Sequence, residues 1–506
     1  MTEAPPDDRQ PDRIRELVIV GGGTAGWMAA AAFARHFVGA GVTITLVESS
    51  EIGTIGVGEA TIPTIRRFYA KLGLPDADVM RATGATAKLG ILFKDWRRPG
   101  ENFIHPFGLY GQDHGDLAFH HLWFAARAAG DEAPISAYSL GATLALQGRM
   151  ASPQPNPPTP LATYDWALHL DAALFAGRLR HYAEASGVKR IDARITDVER
   201  EGDRIRAVRL HDGRRVSGDF FIDCTGFRSL LLGEALNVPF EDWREWLPCD
   251  AAVAVQTELA AGDPPPYTEA AAKGAGWRWR IPLRHRAGNG LVYSSDHLSE
   301  DEATATLLAD LPGEPLVEPR RIPFRSGRRE AAWKGNCVAL GLAAGFLEPL
   351  ESTSIALIET GIERLKELFP DKRLHPALAR EFNDRTAREM ERVRDFIILH
   401  YKLTRRDDTA FWRGCRAMPV PETLRRKLEL WDARGEFIRY RWEMFHPASW
   451  LSIYAGFDRA PQALNPAVAG LARAAIGSAM ARMRAGVADA VRRAPTHAQF
   501  LSSLDR

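Results

Sequence analysis

The residues Leu17-Val-Ile-Val-Gly-Gly-Gly-Thr-Ala-Gly26 decide how the rest of the chain is read. A continuous apolar run enters glycines spaced G-x-G-x-x-G (Gly21, Gly23, Gly26), and an alanine-rich apolar segment, Trp27 to Phe37, follows. The pattern predicts strand, tight turn and helix. In such a unit the first glycine permits the turn and the second lets the backbone approach a pyrophosphate. The third lets helix and strand pack closely, while the helix N-terminus offers free N–H groups to the phosphates. A second apolar run, Val42 to Val47, ends in Glu48. That acid follows Gly26 by 22 residues, close to the ~20 expected of a carboxylate that holds ribose hydroxyls. The glycines alone are a weak signal. Strand, glycines, helix, strand and acid in this order point to an adenine dinucleotide, against a glycine turn that serves packing only.

The chain has 506 residues, enough for one large domain or two to four smaller ones. A net charge of +1 gives no reason to expect nucleic acid or an anionic membrane as partner. Cys224, Cys249, Cys337 and Cys415 are scattered and form no C-x-x-C pair, so neither a metal site nor a disulfide framework is expected, and a reducing cytoplasm fits. Residues 1–15 are polar and proline-containing, lack the apolar centre of a signal peptide, and are expected to be a disordered tail. No apolar run is long enough to span a bilayer, and no internal repeat is visible.

Further along, Gly53, Gly56 and Gly58 suggest a loop beside the cofactor's ring system, and Glu59 to Leu72 has helical spacing of apolar residues. Lys88 stands in Ala85-Thr-Ala-Lys-Leu-Gly90. A lone lysine is usually a solvated surface group. Its small and apolar neighbours argue for a strand, where a buried amine would have a lowered pKa and a chemical use. His105-Pro-Phe107 follows. Residues 151–160 read as a proline-rich exposed loop, Tyr164 to Arg180 as a short strand and a helix, and Val188 to Leu210 as strands joined at Glu201-Gly-Asp203. Phe220-Phe-Ile-Asp-Cys-Thr-Gly226 is another strand, whose Asp223 is either a ligand contact or a plain strand exit. Trp277 and Trp279 would share one face of a strand, as a pocket wall or as core. Asn336 to Gly345 reads as strand and small-residue turn. It runs into Glu351-Ser-Thr-Ser354, which offers backbone amides to an anion, a cap by Ser352 or Thr353, or both. From about Ala377 the chain becomes helical, with long amphipathic stretches at Arg380–Tyr401 and Asn465–Arg493.

From Leu17 to about Gly456 the chain resembles the flavin-dependent halogenases of the tryptophan halogenase type. The resemblance is carried by Gly21-Gly-Gly-Thr-Ala-Gly26, Gly56-Val-Gly-Glu-Ala-Thr-Ile-Pro63, Lys88 before Phe93-Lys-Asp-Trp96, Asp223-Cys-Thr-Gly-Phe-Arg228, Trp277-x-Trp279-x-Ile281-Pro282 and Pro349-Leu-Glu-Ser-Thr353. It implies an α/β fold of the FAD-dependent monooxygenase-like dinucleotide-binding type with mixed sheets. A core over residues 16–376 would be followed by a mainly helical part, 377–506, that roofs the substrate pocket.

The resemblance also implies a reaction. Reduced FAD, oxygen and chloride or bromide would make hypohalous acid, which passes to a separate substrate pocket. The family's lysine matches Lys88, which hydrogen-bonds the oxidant or carries the halogen as a haloamine. Its glutamate matches Glu351, the base for the ring proton. Gly21, Gly22, Gly23, Thr24, Ala25, Gly26, Glu48, Ile195, Leu342 and Ile355 match FAD positions, and Thr353 and Ser354 match the halide amides. His105 and Phe107 match rings that sandwich an indole, and Trp450 is a candidate substrate wall. The tryptophan pair would keep organic substrate from the flavin.

Some features depart from the family. Ser354 stands where most relatives have glycine, so the halide preference stays open. The residues that grip a free amino acid are not found in the C-terminal region, which favours an indole-like or other electron-rich aromatic, with a carrier-bound substrate as a further possibility. No second nucleotide fingerprint is visible, so a separate flavin reductase is expected to supply reduced FAD. The expected assembly is a monomer or a homodimer. The rival readings are an FAD-dependent aromatic hydroxylase and a non-catalytic flavin-binding protein.

Overall fold

A computed structural model describes residues 12–52, 58–260 and 262–505. The opening stretch forms the strand Glu16–Val20, buried over four of its five residues, and the helix Thr24–His36. That strand lies inside a six-stranded sheet ordered Trp333–Lys334, Cys337–Ala339, Phe220–Asp223, Glu16–Val20, Thr43–Glu48, Lys189–Asp192. All neighbours run parallel except the first pair. Val18, Ile19 and Leu46 are buried on this sheet, as expected of strands covered on both faces.

A second, mixed sheet of seven strands carries Gly276–Pro282 near its middle, with Gly90–Lys94 and Asn102–Pro106 at one edge. A small antiparallel sheet places Ala167–Asp171 between Gly58–Ala60 and Thr86–Lys88. After Phe346 the described residues contain helices and turns but no named strand. Helix Pro376–Leu403 packs Phe396 and Tyr401 into the aromatic core shared with the seven-stranded sheet.

The Lys88 strand is also fixed from the far end of the sequence. The Ala87 N–H donates to His497 Nε2 at 3.1 Å, and His497 Nδ1 meets the Pro264 carbonyl at 2.6 Å. The helix His497–Ser503 is thereby tied to the strand Thr86–Lys88.

Several boundaries differ from the sequence reading. Ile14 is only 2% exposed and the Arg15 carbonyl accepts from Thr43 N–H, so residues 12–15 are docked, not part of a loose tail. Glu59 and Ala60 are strand, and the helix, Thr64–Lys71, begins only after Pro63. Asn465–Arg493 is a short 3-10 turn, Pro466–Gly470, followed by the helix Arg473–Arg493. Gly53 and Gly56 lie outside the described residues. The four cysteines are buried free thiols. Among the described residues no helix is long and apolar enough to cross a membrane.

Candidate active site

The glycine turn opens a cavity of about 820 Å³. Gly21, Gly22, Gly23, Thr24 and Ala25 form one end, with Glu48, Ile195, Leu342 and Ile355 along its sides. Each glycine has its own reason. Gly21 has φ +107°, and a Cβ there would stand 2.2 Å from the Cys224 carbonyl oxygen. A Cβ on Gly26 would stand 1.8 Å from the Gly21 oxygen, so this glycine closes helix onto strand, and it is not among the residues that line the cavity. At Gly23 a Cβ would meet nothing within 4 Å. The backbone there is bare toward open space although no packing demands glycine, as a site for closely approaching phosphates requires. Arg190 holds the Glu48 carboxylate beside Gly22. These features fit FAD: bare amides at a helix start, a carboxylate for the ribose, and a long, mostly apolar continuation for the rings.

At its other end the cavity is walled by Trp277, Trp279, Pro349, Leu350, Ser352 and Ser354. The tryptophan pair does share one side of its strand and is also buried core, at 1% and 7% exposure. Ser352 has φ +58°, a left-handed conformation rare for a residue with a side chain. That turn presents its hydroxyl to Lys88. The Lys88 amine donates to Ser352 Oγ at 2.7 Å and to the Thr61 carbonyl at 3.0 Å, and it sits 5.1 Å from the centre of the Phe107 ring. Lys88 is fully buried. Burial lowers its pKa to about 7, with the Glu351 charge acting the other way. The surface alternative for this lysine is therefore excluded.

Glu351 is likewise buried, at 1% exposure. His105 Nδ1 meets its Oε2 at 2.9 Å and His400 Nε2 meets its Oε1 at 2.8 Å. Burial alone would raise the carboxyl, but the two imidazoles outweigh it and bring the pKa down to about 2. Glu351 is thus ionised across ordinary pH.

Rings surround the pair. His105 stands 6.5 Å from Phe107 at 67°, 5.8 Å from Phe396 and 6.5 Å from Phe445. Trp450 lies one ring further, 5.0 Å from Phe396, and is 2% exposed. Lys88, Glu351, His105 and Phe107 therefore converge, whereas the ring contact of Trp450 with this group is through Phe396.

Two alternatives left open by the sequence are resolved. Asp223 does not face a ligand: it is fully buried and accepts from the amides of Thr225, Leu231 and Leu232 and the Thr225 hydroxyl. It is a strand exit that organises its own turn. Neither Ser352 nor Thr353 caps the helix Ser354–Glu367 with its side chain. The Ser352 hydroxyl is engaged by Lys88, and Thr353 Oγ1 is buried with no partner among the described residues.

Comparison with known proteins now decides the class. A family profile described as tryptophan halogenase matches residues 16–473. The chain belongs to the tryptophan halogenase family. Tryptophan 6-halogenase SttH of Streptomyces toxytricini is 38% identical over 486 residues, covering 91% of this chain and 92% of that protein. Tryptophan 7-halogenase RebH of Lentzea aerocolonigenes is 34% identical over 496 residues, 91% and 93% of the two. Among solved structures, BrvH, a flavin-dependent halogenase from Brevundimonas sp. BAL3, superposes with a TM-score of 0.95 at 65% identity, covering 98% of this chain and all of that one. The protein is a flavin-dependent halogenase, and its α/β fold with a helical C-terminal part is the fold of these relatives.

The sequence reading did not find His400 and gave Ser352 as a cap or as part of an anion-binding turn, not as a partner of Lys88. His400 is on the buried face of the helix Pro376–Leu403, four residues after Phe396. The one signal it offered was a histidine in an apolar run, Phe396-Ile-Ile-Leu-His400, which also describes an ordinary core residue.

Proposed function

We propose that this halogenase halogenates an electron-rich, indole-like aromatic using reduced FAD, oxygen and chloride or bromide, with Lys88 directing the oxidant and Glu351 as base. Bound in the cavity, reduced FAD would supply, with oxygen and halide, the hypohalous acid that does the chemistry. Gly21 to Ala25, Glu48, Ile195, Leu342 and Ile355 are the residues that would hold it.

The observation that carries this reading is the place of Lys88. Its amine donates to one cavity-lining residue, Ser352, lies 5.1 Å from the centre of the Phe107 ring and feels the charge of Glu351. It can meet a small oxidant leaving the cavity and present it to a ring held beyond. With a pKa of about 7 much of the amine is neutral at working pH, so it can donate a hydrogen bond or accept the halogen at Nζ. Glu351, ionised, would oppose the positive charge that builds on the ring and take the ring proton. His105 and His400 orient it. The amides of Thr353 and Ser354, at the start of a helix, lack intrahelical acceptors and would hold the halide. His105, Phe107 and, one ring behind, Trp450 would bound the substrate. A separate flavin reductase would deliver the reduced cofactor by diffusion.

The test combines protein, FAD, a flavin reductase, NADH, oxygen, bromide or chloride, and indole, read by mass spectrometry. A halogen isotope pattern that vanishes in Lys88→Ala is the expected result. A hydroxylated product would establish the hydroxylase alternative instead.

A further inference from the structure

Glu348 lies three residues before Glu351, at the entry to the turn Pro349–Glu351, and has no exposed surface. One of its oxygens, Oε2, accepts from Trp277 Nε1 at 2.7 Å and from the Tyr401 hydroxyl at 2.6 Å. Its other oxygen is buried without a partner among the described residues. The two carboxylates of this turn are therefore held by consecutive residues of one helix, Glu351 by His400 and Glu348 by Tyr401.

Trp277 is the tryptophan that this arrangement fixes. It lines the cavity on one side. Behind it Trp96 stands 6.4 Å away, and Trp96 is 6.1 Å from His400 and 5.4 Å from Tyr401. A row of tilted and edge-on rings thus runs from the cavity to His400, the partner of Glu351, and its cavity-facing member, Trp277, has Glu348 as its polar anchor. A buried indole N–H needs an acceptor, and the torsion that sets a tryptophan ring is broad. Without the carboxylate, the Trp277 N–H would be left unpaired and the Tyr401 hydroxyl would keep only the Cys249 thiol, 3.5 Å away, so the indole would seek a partner by moving.

We propose that Glu348 is a positioning residue that, through Trp277 and Tyr401, fixes the ring wall between the cofactor cavity and the Lys88–Glu351 compartment, so that oxidant is passed on to Lys88. The assignment rests on the function proposed above. Glu348 touches neither substrate nor reacting atoms in this reading. Its effect is on the fraction of turnovers that end in product.

The experiment uses the full chain as Glu348→Ala, Glu348→Gln, Trp277→Phe and the Glu348→Ala/Trp277→Phe pair. Three quantities are read: halogenated product per NADH oxidised, FAD affinity, and solvent exchange of the Trp277 indole N–H by 15N NMR, the signal being identified by its loss in Trp277→Phe. Glu348→Ala is expected to lower product per NADH about fivefold or more and to speed N–H exchange by about 100-fold, with FAD affinity within about threefold. Glu348→Gln, which keeps an acceptor oxygen, should remain within about twofold of the unmodified protein in all three, and the double variant should be no worse than Glu348→Ala within about twofold.

An unchanged N–H and product ratio in Glu348→Ala overturns the proposal. So does Glu348→Gln failing as badly as Glu348→Ala, or losses that multiply in the double variant. Should Glu348→Ala not fold, Trp277→Phe decides: it deletes the donor and keeps a ring, and a product ratio unchanged from the parent overturns the assignment. If the unmodified protein makes no halogenated product, the function proposed above fails, while the N–H exchange still judges the role of Glu348.

Discussion

Lys88 and Ser352, the residue that follows the buried Glu351 in sequence, meet at 2.7 Å at the edge of the glycine-turn cavity. Ser352 lines the cavity and Lys88 does not. In the function proposed above, this contact is the point at which a small oxidant would leave the cavity.

Removing the amine should therefore separate binding from chemistry. Lys88→Ala is expected to lower halogenation by about 10²-fold or more. FAD affinity, measured by fluorescence titration, should stay within about threefold, because no cofactor-lining side chain is lost. A large loss of FAD affinity would mean that Lys88 serves the cofactor.

The pH dependence of turnover follows from the same amine. Burial brings Lys88 to about 7 against the pull of Glu351. If the neutral amine is the reacting form, kcat under saturating reduced FAD should rise with pH through about 7 and level off above it. A profile that falls over the same range would identify the ammonium as the working donor.

Glu351→Gln should lower product formation by about 10²- to 10⁴-fold, the usual range for a positioned base. It should also change acid stability. The folded carboxyl sits at about 2, below its ordinary 4.5. Its contribution is thus fully present above the unfolded pKa and is lost as pH falls from there toward about 2. Urea unfolding midpoints between pH 5 and 3 should fall less steeply in Glu351→Gln than in the parent.

The glycines of the turn should divide by role. Gly21→Ala puts a Cβ against the Cys224 carbonyl at positive φ and should destabilise by about 1–3 kcal/mol or prevent folding. Gly23→Ala meets nothing in the protein itself, so Tm should move by no more than about 2 °C while FAD affinity falls about tenfold or more. Equal effects of the two on Tm would show that packing, not the cofactor, demands Gly23.

The legible parts of this sequence are those decided by neighbours in the chain. Leu17 to Gly26 forms its strand, turn and helix from residues within ten positions, and Trp277 and Trp279 share a face because strand periodicity requires it. The burial of Lys88 is a different matter. Its partners lie 27 and 264 residues away, and nothing local distinguishes a lysine in a solvated strand from one against Ser352. Asp223 was ambiguous for the same reason, since its partners become apparent only once the following turn folds back over it. His400 was out of reach of local pattern, as its role exists only through a carboxylate 49 residues earlier. Ser352 read as a cap because capping is what serine ordinarily does at a helix start, and its left-handed backbone, which turns the hydroxyl away, has no signature in side-chain order.

The bond from Ala87 to His497 spans 410 residues of sequence. A ribosome releases the Lys88 strand early and its clamp hundreds of residues later. The strand that carries Lys88 therefore gains its last side-chain acceptor only once residue 497 has been made.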